Sequence, residues 1–173
     1  PGPSPHIPPY TLMKKLRLNA GFTLIELVVV ILILAVLAGV LVPRVSNRLA
    51  SARDARRMQD ITAIRDAVEQ FYLDKGTYPA ATPNAAAGGW DVSNDGDLIP
   101  ELVRGGYIKD VPKDPMNTDT YNYRYYVYAK ASYGCVGPST YYVLGIKTFE
   151  TDDFKTKNTG YFKCTGRDWN TEF

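Results

Sequence analysis

The feature that most constrains this chain is a continuous apolar segment near its N-terminus. Residues 27–42 include no polar side chain. A membrane-spanning helix needs about 20 apolar residues, so this segment alone is slightly short. Extending it back to Phe22 lengthens it but adds Thr23 and Glu26. Because the rest of the chain is mixed or polar, the sequence predicts one apolar helix joined to one soluble domain.

A short basic stretch precedes the apolar segment, with positive charges at Lys14, Lys15 and Arg17. A basic flank before an apolar run is typical of an inner-membrane signal or anchor whose basic end stays cytoplasmic. The proline-rich residues 1–12 are not expected to pack. We predict that the native precursor starts at Met13.

Glu26 places a carboxylate inside the otherwise apolar segment. An acidic residue at the centre of a membrane helix costs about 2.5–3.5 kcal/mol, and less near its end, so Glu26 needs a partner. Cleavage between Gly21 and Phe22 would free an α-amino group four residues before Glu26. That amine could neutralise the Glu26 carboxylate of a neighbouring subunit in the same bilayer.

The sequence GFTLIE at residues 21–26, between the basic leader and the apolar run, resembles the type III signal of type IV pilins and pseudopilins. In that family a prepilin peptidase cuts after the glycine and methylates the new N-terminal residue, and the glutamate supports ordered addition of subunits. The resemblance implies these roles for Gly21, Phe22 and Glu26. It also implies a helix-kinking role for Pro43.

An ordinary secretory signal peptide is the alternative interpretation of this region. The sequence VLA at residues 36–38, before Gly39, satisfies a small-x-small cleavage rule. The glycine often found midway along the family's apolar segment is replaced by Ala35, although Gly39 lies nearby. Against the alternative, Glu26 interrupts a region that should be purely apolar, and the helical pattern continues past the cleavage site.

Beyond Pro43 the apolar residues become periodic. They recur at three- and four-residue steps, at Met58, Ile61, Ile64, Val68 and Phe71. This spacing predicts an amphipathic helix with one buried stripe. Lys75 followed by Gly76 is a C-terminal helix signal. Together with the apolar segment, the prediction is one helix over residues 22–75, about 80 Å long at 1.5 Å per residue.

The fold class predicted from the remaining chain is α+β, with the long helix packed on a C-terminal antiparallel sheet, as in the pilin fold. Three segments rich in aromatic and β-branched residues predict strands at 121–130, 140–148 and 159–165. A short helix is predicted near 99–104. The predicted divisions are a removed leader, a transmembrane or filament-core helix, an amphipathic helix, an αβ-loop and the sheet region: 1–21, 22–43, 44–75, 76–120 and 121–173.

Cys135 and Cys164 are the two cysteines of the chain. No Cys-x-x-Cys or Cys/His cluster accompanies them, so neither a metal site nor thioredoxin-like chemistry is indicated. In an exported domain the pair is expected to form a disulfide worth roughly 3–4 kcal/mol. Two reduced thiols in a cytosolic protein are the alternative, and the membrane segment favours export. The pair resembles the disulfide-bounded C-terminal region of many type IV pilins.

Two segments of the sequence are relevant to whether the chain binds calcium. Residues 91–97 partly resemble a calcium loop, but Leu102 occupies the position of the bidentate glutamate, so a solvated turn is the preferred interpretation. Residues 113–115 (KDP) resemble a motif of type II secretion pseudopilins and some pilins. Those pseudopilins often bind calcium in a later Asp- and Gly-rich loop. No convincing equivalent follows Pro115, which makes that subfamily less favoured.

Composition and motifs argue against an enzyme or a nucleic-acid-binding protein. After Gly21 the chain has 17 basic and 18 acidic residues, and Arg53, Arg56 and Arg57 are predicted to form a solvated helix face. The one histidine, His6, precedes the predicted start, and no P-loop or dinucleotide motif is present. We therefore expect no catalytic site, cofactor or metal.

These observations predict a structural subunit of an extracellular type IV pilus-like filament for adhesion, motility or DNA uptake. The expected partners are the inner membrane before assembly, the prepilin peptidase, the assembly machinery and further copies of the chain in a helical filament. Localisation would change from inner membrane to cell surface. The first alternative is a pseudopilin of a type II secretion system, and the second is a signal-peptide-exported binding domain.

Overall fold

The computed structural model describes residues 2, 21–135, 137, 139–157, 160–164 and 166–168. The predictions that rest on His6, Met13 and the basic leader lie outside these residues. The described chain divides into two compact units, one ending at Val42 and the other starting at Pro43.

Helix α1 spans Leu24–Lys75 and contains 52 residues. The predicted helix over 22–75 is therefore confirmed, with its start displaced by two residues. The backbone stays helical through Pro43. Proline lacks the N–H that would bond the preceding turn, so the predicted role of Pro43 during filament packing stays a prediction.

The second unit contains a four-stranded antiparallel sheet in the order β1-β2-β3-β4. The strands are β1 (Asp91–Val92), β2 (Tyr123–Tyr128), β3 (Tyr141–Ile146) and β4 (Tyr161–Phe162). The α+β fold class and the three predicted strands are confirmed, although the ends of the last prediction, Thr159 and Thr165, lie outside the described residues. The two-residue strand β1 is an addition that the sequence analysis missed.

Short helices connect these strands. Helix α2 (Pro100–Arg104) agrees with the prediction near 99–104, and α3 (Asp152–Lys155) follows β3. Two 3-10 turns, Ala85–Ala87 and Ser132–Gly134, lie before β1 and β3. Proline at the first position of α2 suits a helix start because its missing N–H would have no helical partner there.

The hydrophobic core lies between the second half of α1 and one face of the sheet. The predicted stripe is confirmed, because Ile61, Ile64, Val68 and Phe71 are buried and Met58 packs against them. The sheet contributes alternate residues of β2 and β3, as the two-residue period of a strand requires. These are Tyr123, Tyr125, Tyr142, Leu144 and Ile146.

Two tyrosine hydroxyls connect the sheet to α1 through acidic side chains. The Tyr123 hydroxyl donates to Oδ2 of Asp60 at 2.8 Å, and the Tyr142 hydroxyl donates to Oε1 of Glu69 at 2.7 Å. Both tyrosines are fully buried, and a buried hydroxyl without a partner is costly. The pair therefore favours one rotation and one axial position of the helix on the sheet.

The opposite face of the sheet carries a second cluster, which includes Trp90, Val143 and both cysteines. Tyr128 and Tyr141 are directly paired across β2 and β3, and their rings stack at a centroid distance of 5.3 Å. Aromatic cross-strand pairs of this kind stabilise antiparallel sheets. Packing on the two faces thus explains the tyrosine-rich strands.

Candidate functional site

Gly21 and Phe22 are exposed and precede α1. The Phe22 side chain is 86% exposed. A Cβ atom added at Gly21 would meet nothing within 4 Å. The fold therefore gives no packing reason for glycine at this position, and its proposed role in processing stays a prediction.

Thr23 and Glu26 form a reciprocal cap at the start of α1. The backbone N–H and the hydroxyl of Thr23 each donate to Oε2 of Glu26 at 2.8 Å. The N–H of Glu26 is 3.3 Å from the Thr23 hydroxyl oxygen. This is the capping-box arrangement, in which two side chains satisfy backbone donors that a helix start leaves free. Sequence analysis assigned Glu26 to assembly alone and missed this local role.

The first half of α1 is apolar on all sides. Its most hydrophobic 18-residue window has a mean hydropathy of 3.2 and none of it is buried. By length and composition, this helix could cross a membrane. Its exposed side chains include Leu27, Ile31, Leu34 and Leu41. A helix that is hydrophobic all round needs lipid or other helices as its surroundings.

The prediction that Arg53, Arg56 and Arg57 form a solvated helix face is wrong for Arg57. The Arg57 side chain is fully buried, whereas that of Arg56 is 65% exposed. The physical reason is a paired carboxylate: Nε and Nη2 of Arg57 donate to the two oxygens of Asp114 over 2.6 and 3.0 Å. A fork-to-fork pair of this type compensates for the loss of water.

Two further carboxylates complete the surroundings of Arg57. Its Nη1 donates to Asp54 at 2.6 Å and to Glu150 at 2.7 Å. Burial alone would lower the pKa of Arg57, but the hydrogen bonds with Asp114, Glu150 and Asp54 raise it overall. The hydrogen bond from Arg53 is the main cause that lowers the pKa of Glu150 to about 2. Arg57 therefore stays charged, and the stabilising contribution of Glu150 is lost progressively as pH falls from about 4.5, its ordinary pKa, through about 2.

The preferred interpretation of residues 91–97 as a solvated turn is wrong for Asp91 and Ser93, which are buried. Oδ2 of Asp91 accepts the N–H groups of Thr82 at 2.9 Å and of Ile99 at 3.2 Å. Ser93 accepts the N–H of Tyr123 at 3.0 Å. These two polar side chains join the connection before α2 to the edge of the sheet, which is why they are buried.

The burial of Asp91 is expected to make the stability of the fold depend on pH. Burial raises its pKa to about 6, from an ordinary value of 3.8, against the lowering effect of the Thr82 and Ile99 N–H groups. A carboxyl group with a higher pKa in the folded chain makes the folded state bind more protons. The stability contributed by Asp91 is therefore greatest at low pH and falls as pH rises through about 6.

We expect an Asp91→Asn variant to lose this pH dependence. The asparagine oxygen can still accept both N–H groups, but the side chain does not titrate. At about 1.4 kcal/mol per pKa unit, the free energy of unfolding of the wild type relative to the variant should be on the order of 2 kcal/mol more favourable at about pH 4 than at about pH 7. Urea unfolding of the full chain in detergent measures this difference. A difference that stays constant with pH would contradict the assignment.

The predicted disulfide is present between Cys135 and Cys164, 29 residues apart. Cys135 ends the 3-10 turn between β2 and β3, and Cys164 follows β4 closely. Both side chains are buried against the aromatic face of the sheet. The bond therefore joins the β2–β3 connection to the end of the last strand.

Two acidic residues after Pro115, Glu150 and Asp152, are already bound by basic side chains. Glu150 is bound by two arginines, and Asp152 forms an ion pair with Lys155 at 2.7 Å. Within the described part of the chain, no group of three His, Cys, Asp or Glu residues is suited to hold a metal ion. Calcium needs six to eight oxygen ligands gathered around one point, and that gathering is not found among these residues.

Two sequence families match consecutive parts of the chain. The family described as type II secretion system (T2SS), protein G, matches residues 44–136. The prokaryotic N-terminal methylation motif matches residues 16–42, which include the predicted processing site. No solved structure matches the chain significantly.

Among curated proteins, the chain is similar to several named type II secretion system core protein G. It is 38% identical to the protein of Vibrio cholerae over 108 residues, which cover 62% of this chain and 72% of that one. It is 36% identical to the Aeromonas hydrophila protein over 106 residues, covering 60% and 71%. It is 33% identical to the Pseudomonas aeruginosa protein over 130 residues, covering 75% and 84%. Since the protein G match also spans more than half of the chain, this chain belongs to the type II secretion system protein G family.

Proposed function

We propose that this chain is a pseudopilin, a structural subunit of the periplasmic filament of a type II secretion machine. The observation that carries the proposal is the protein G match over residues 44–136, which covers the second half of α1, α2 and β2. The relatives that this chain resembles are named as core proteins of that system. The comparisons thus favour the first alternative of the sequence analysis over a surface pilus subunit, for which they give no specific support.

In this proposal the first half of α1 anchors the precursor in the inner membrane and later packs in the filament. One apolar surface can serve both states because lipid and a filament core are similarly dry. Leaving the bilayer then gains little hydrophobic free energy, so extraction requires work by the secretion machine. Cleavage after Gly21 is the step that commits the subunit to assembly.

The geometry of Glu26 supports a pairing step between subunits. Oε2 of Glu26 accepts both hydrogen bonds from Thr23, and Oε1 has no hydrogen bond among the described residues. Oε1 is therefore available to the α-amino group of Phe22 on an incoming copy. An ion pair in dry surroundings is favourable when each charge has its partner and costly when one is missing.

A surface pilus subunit remains the second candidate because of one observation. The Cys135–Cys164 disulfide encloses β3 and β4, which resembles the disulfide-bounded region of many type IV pilins. Imaging separates the candidates, since pilins form long surface fibres and pseudopilins form short periplasmic filaments.

We expect deletion of the gene to stop export of secreted enzymes without removing surface fibres. Complementation with the wild-type gene should restore export. Mass spectrometry of the mature chain should find a methylated Phe22 at the N-terminus. Loss of surface fibres with normal export would favour the pilus subunit instead, and a mature chain starting at Gly39 would favour an exported binding domain.

A further inference from the structure

Three carboxylates from separate segments converge on the guanidinium of Arg57. Asp54 lies one turn earlier on α1, Asp114 lies in the connection before β2, and Glu150 follows β3. The contacts of Arg57 with Asp114 and Glu150 span 57 and 93 residues of sequence. The guanidinium is therefore the point at which α1 and two loops meet.

Carboxylates buried in this way need a cation beside them. Asp54 is 0% exposed and Asp114 is 3% exposed. Taking an uncompensated carboxylate out of water costs several kcal/mol even after the structure relaxes. Arg57 contacts all three acids, and Arg53 adds a second guanidinium to Glu150, with its Nε donating over 2.8 Å. Two cations thus balance most of the charge of three acids.

The same carboxylates also organise the backbone of the two loops. Asp54 accepts the N–H groups of Glu150 at 3.1 Å and Thr151 at 2.9 Å. Asp114 accepts the N–H of Met116 at 2.8 Å. Asp54 and Asp114 are therefore each bound by the guanidinium on one side and by loop backbone on the other. The position of the cation thus fixes the backbone of both loops.

In loops that contain several carboxylates, a bound divalent cation commonly balances the negative charge and orders the backbone. Here the central cation is a side chain of α1 and cannot dissociate. Its pKa is raised by the surrounding acids, so it does not lose its charge at any physiological pH.

We propose that Arg57 is a built-in cation that takes the place of a calcium ion in ordering the loops around Asp114 and Glu150. The domain accordingly reaches its full stability without a divalent cation. This inference holds whether the filament belongs to a secretion machine or to a pilus, so its test is independent of the proposed function.

Thermal unfolding of the mature full-length chain in detergent micelles tests the proposal. The wild-type midpoint should be the same in calcium chloride and in EGTA. Arg57→Ala should lower the midpoint by about 10–20 °C, because it leaves Asp54 and Asp114 buried without their cation and Glu150 with Arg53 alone. Arg56→Ala is the matched control, since the Arg56 side chain is 65% exposed, and should change the midpoint by about 2 °C or less.

Chemical rescue adds a specific readout. Guanidinium chloride at a low, non-denaturing concentration should raise the unfolding midpoint of Arg57→Ala but not that of Arg56→Ala. Sodium chloride at the same concentration should not raise the midpoint of Arg57→Ala. If Arg57→Ala does not fold, Arg57→Lys keeps one charge without the bidentate fork and should give an intermediate midpoint with no response to EGTA. A fall of the wild-type midpoint in EGTA, or an Arg57→Ala midpoint equal to that of Arg56→Ala, would overturn the proposal.

Discussion

Replacing Glu26 by glutamine should leave membrane insertion intact and reduce filament assembly by about 100-fold or more. Glutamine can still occupy the capping box with Thr23, so the start of α1 should be unchanged. The substitution removes only the negative charge, and the α-amino group of an incoming subunit then has no partner in dry surroundings. Leaving one charge of a buried pair alone costs about 3–5 kcal/mol, and each 1.4 kcal/mol is tenfold in an equilibrium.

The measurement compares membrane-bound subunits with subunits recovered in filaments. Thr23→Val is the matched control, because it removes the hydroxyl contact with Glu26 but keeps the carboxylate charge. We expect this control to assemble nearly as well as the wild type. Normal filament yield from Glu26→Gln would remove the pairing argument. An equal loss in both variants would contradict a requirement for the charge alone, because Thr23→Val keeps the carboxylate.

Reducing the Cys135–Cys164 bond should lower the free energy of unfolding by roughly 3–4 kcal/mol. On the chain-entropy model, the cost follows from releasing a loop of 29 residues in the unfolded state. Domains of this size are commonly stable by about 5–15 kcal/mol, so the loss is a large fraction of the total. Urea unfolding of oxidised and reduced full-length chain in detergent measures it directly.

The control for the disulfide is the double variant Cys135→Ala/Cys164→Ala. Alanine is preferable to serine because both sites are buried among aromatic side chains, where an unsatisfied hydroxyl would add its own cost. The variant should resemble the reduced wild type and should not respond to reductant. Equal stability of the oxidised and reduced wild type would show that packing against Trp90 and Tyr141 holds this region without the bond.

Sequence periodicity was sufficient to predict α1 and its buried stripe. Met58, Ile61, Ile64 and Val68 repeat at helical steps, and local spacing of this kind determines which face of a helix is apolar. Strands β2 and β3 could also be predicted from the sequence, because each contains six residues rich in aromatic or β-branched side chains. The two-residue strand β1 could not be predicted, because Asp91–Val92 is too short to show an alternation of apolar and polar side chains.

The burial of Arg57 could not be deduced from charge alone. Its partners Asp114 and Glu150 are far away in sequence, and local patterns do not report long-range pairing. One signal was nevertheless present, because Arg57 lies four residues before Ile61 and so falls on the apolar stripe. A charged residue on a buried stripe predicts an opposite charge elsewhere in the chain.

The two tyrosine hydroxyls that the sheet donates to α1 have a mechanical consequence. Asp60 and Glu69 are separated by nine residues, about 13 Å along a helix axis. Tyr123 and Tyr142 thus hold α1 against the sheet at two points along the helix axis. A force applied along this part of α1 would load both contacts at once, and sliding or rolling of the helix over the sheet would break these part-buried hydrogen bonds.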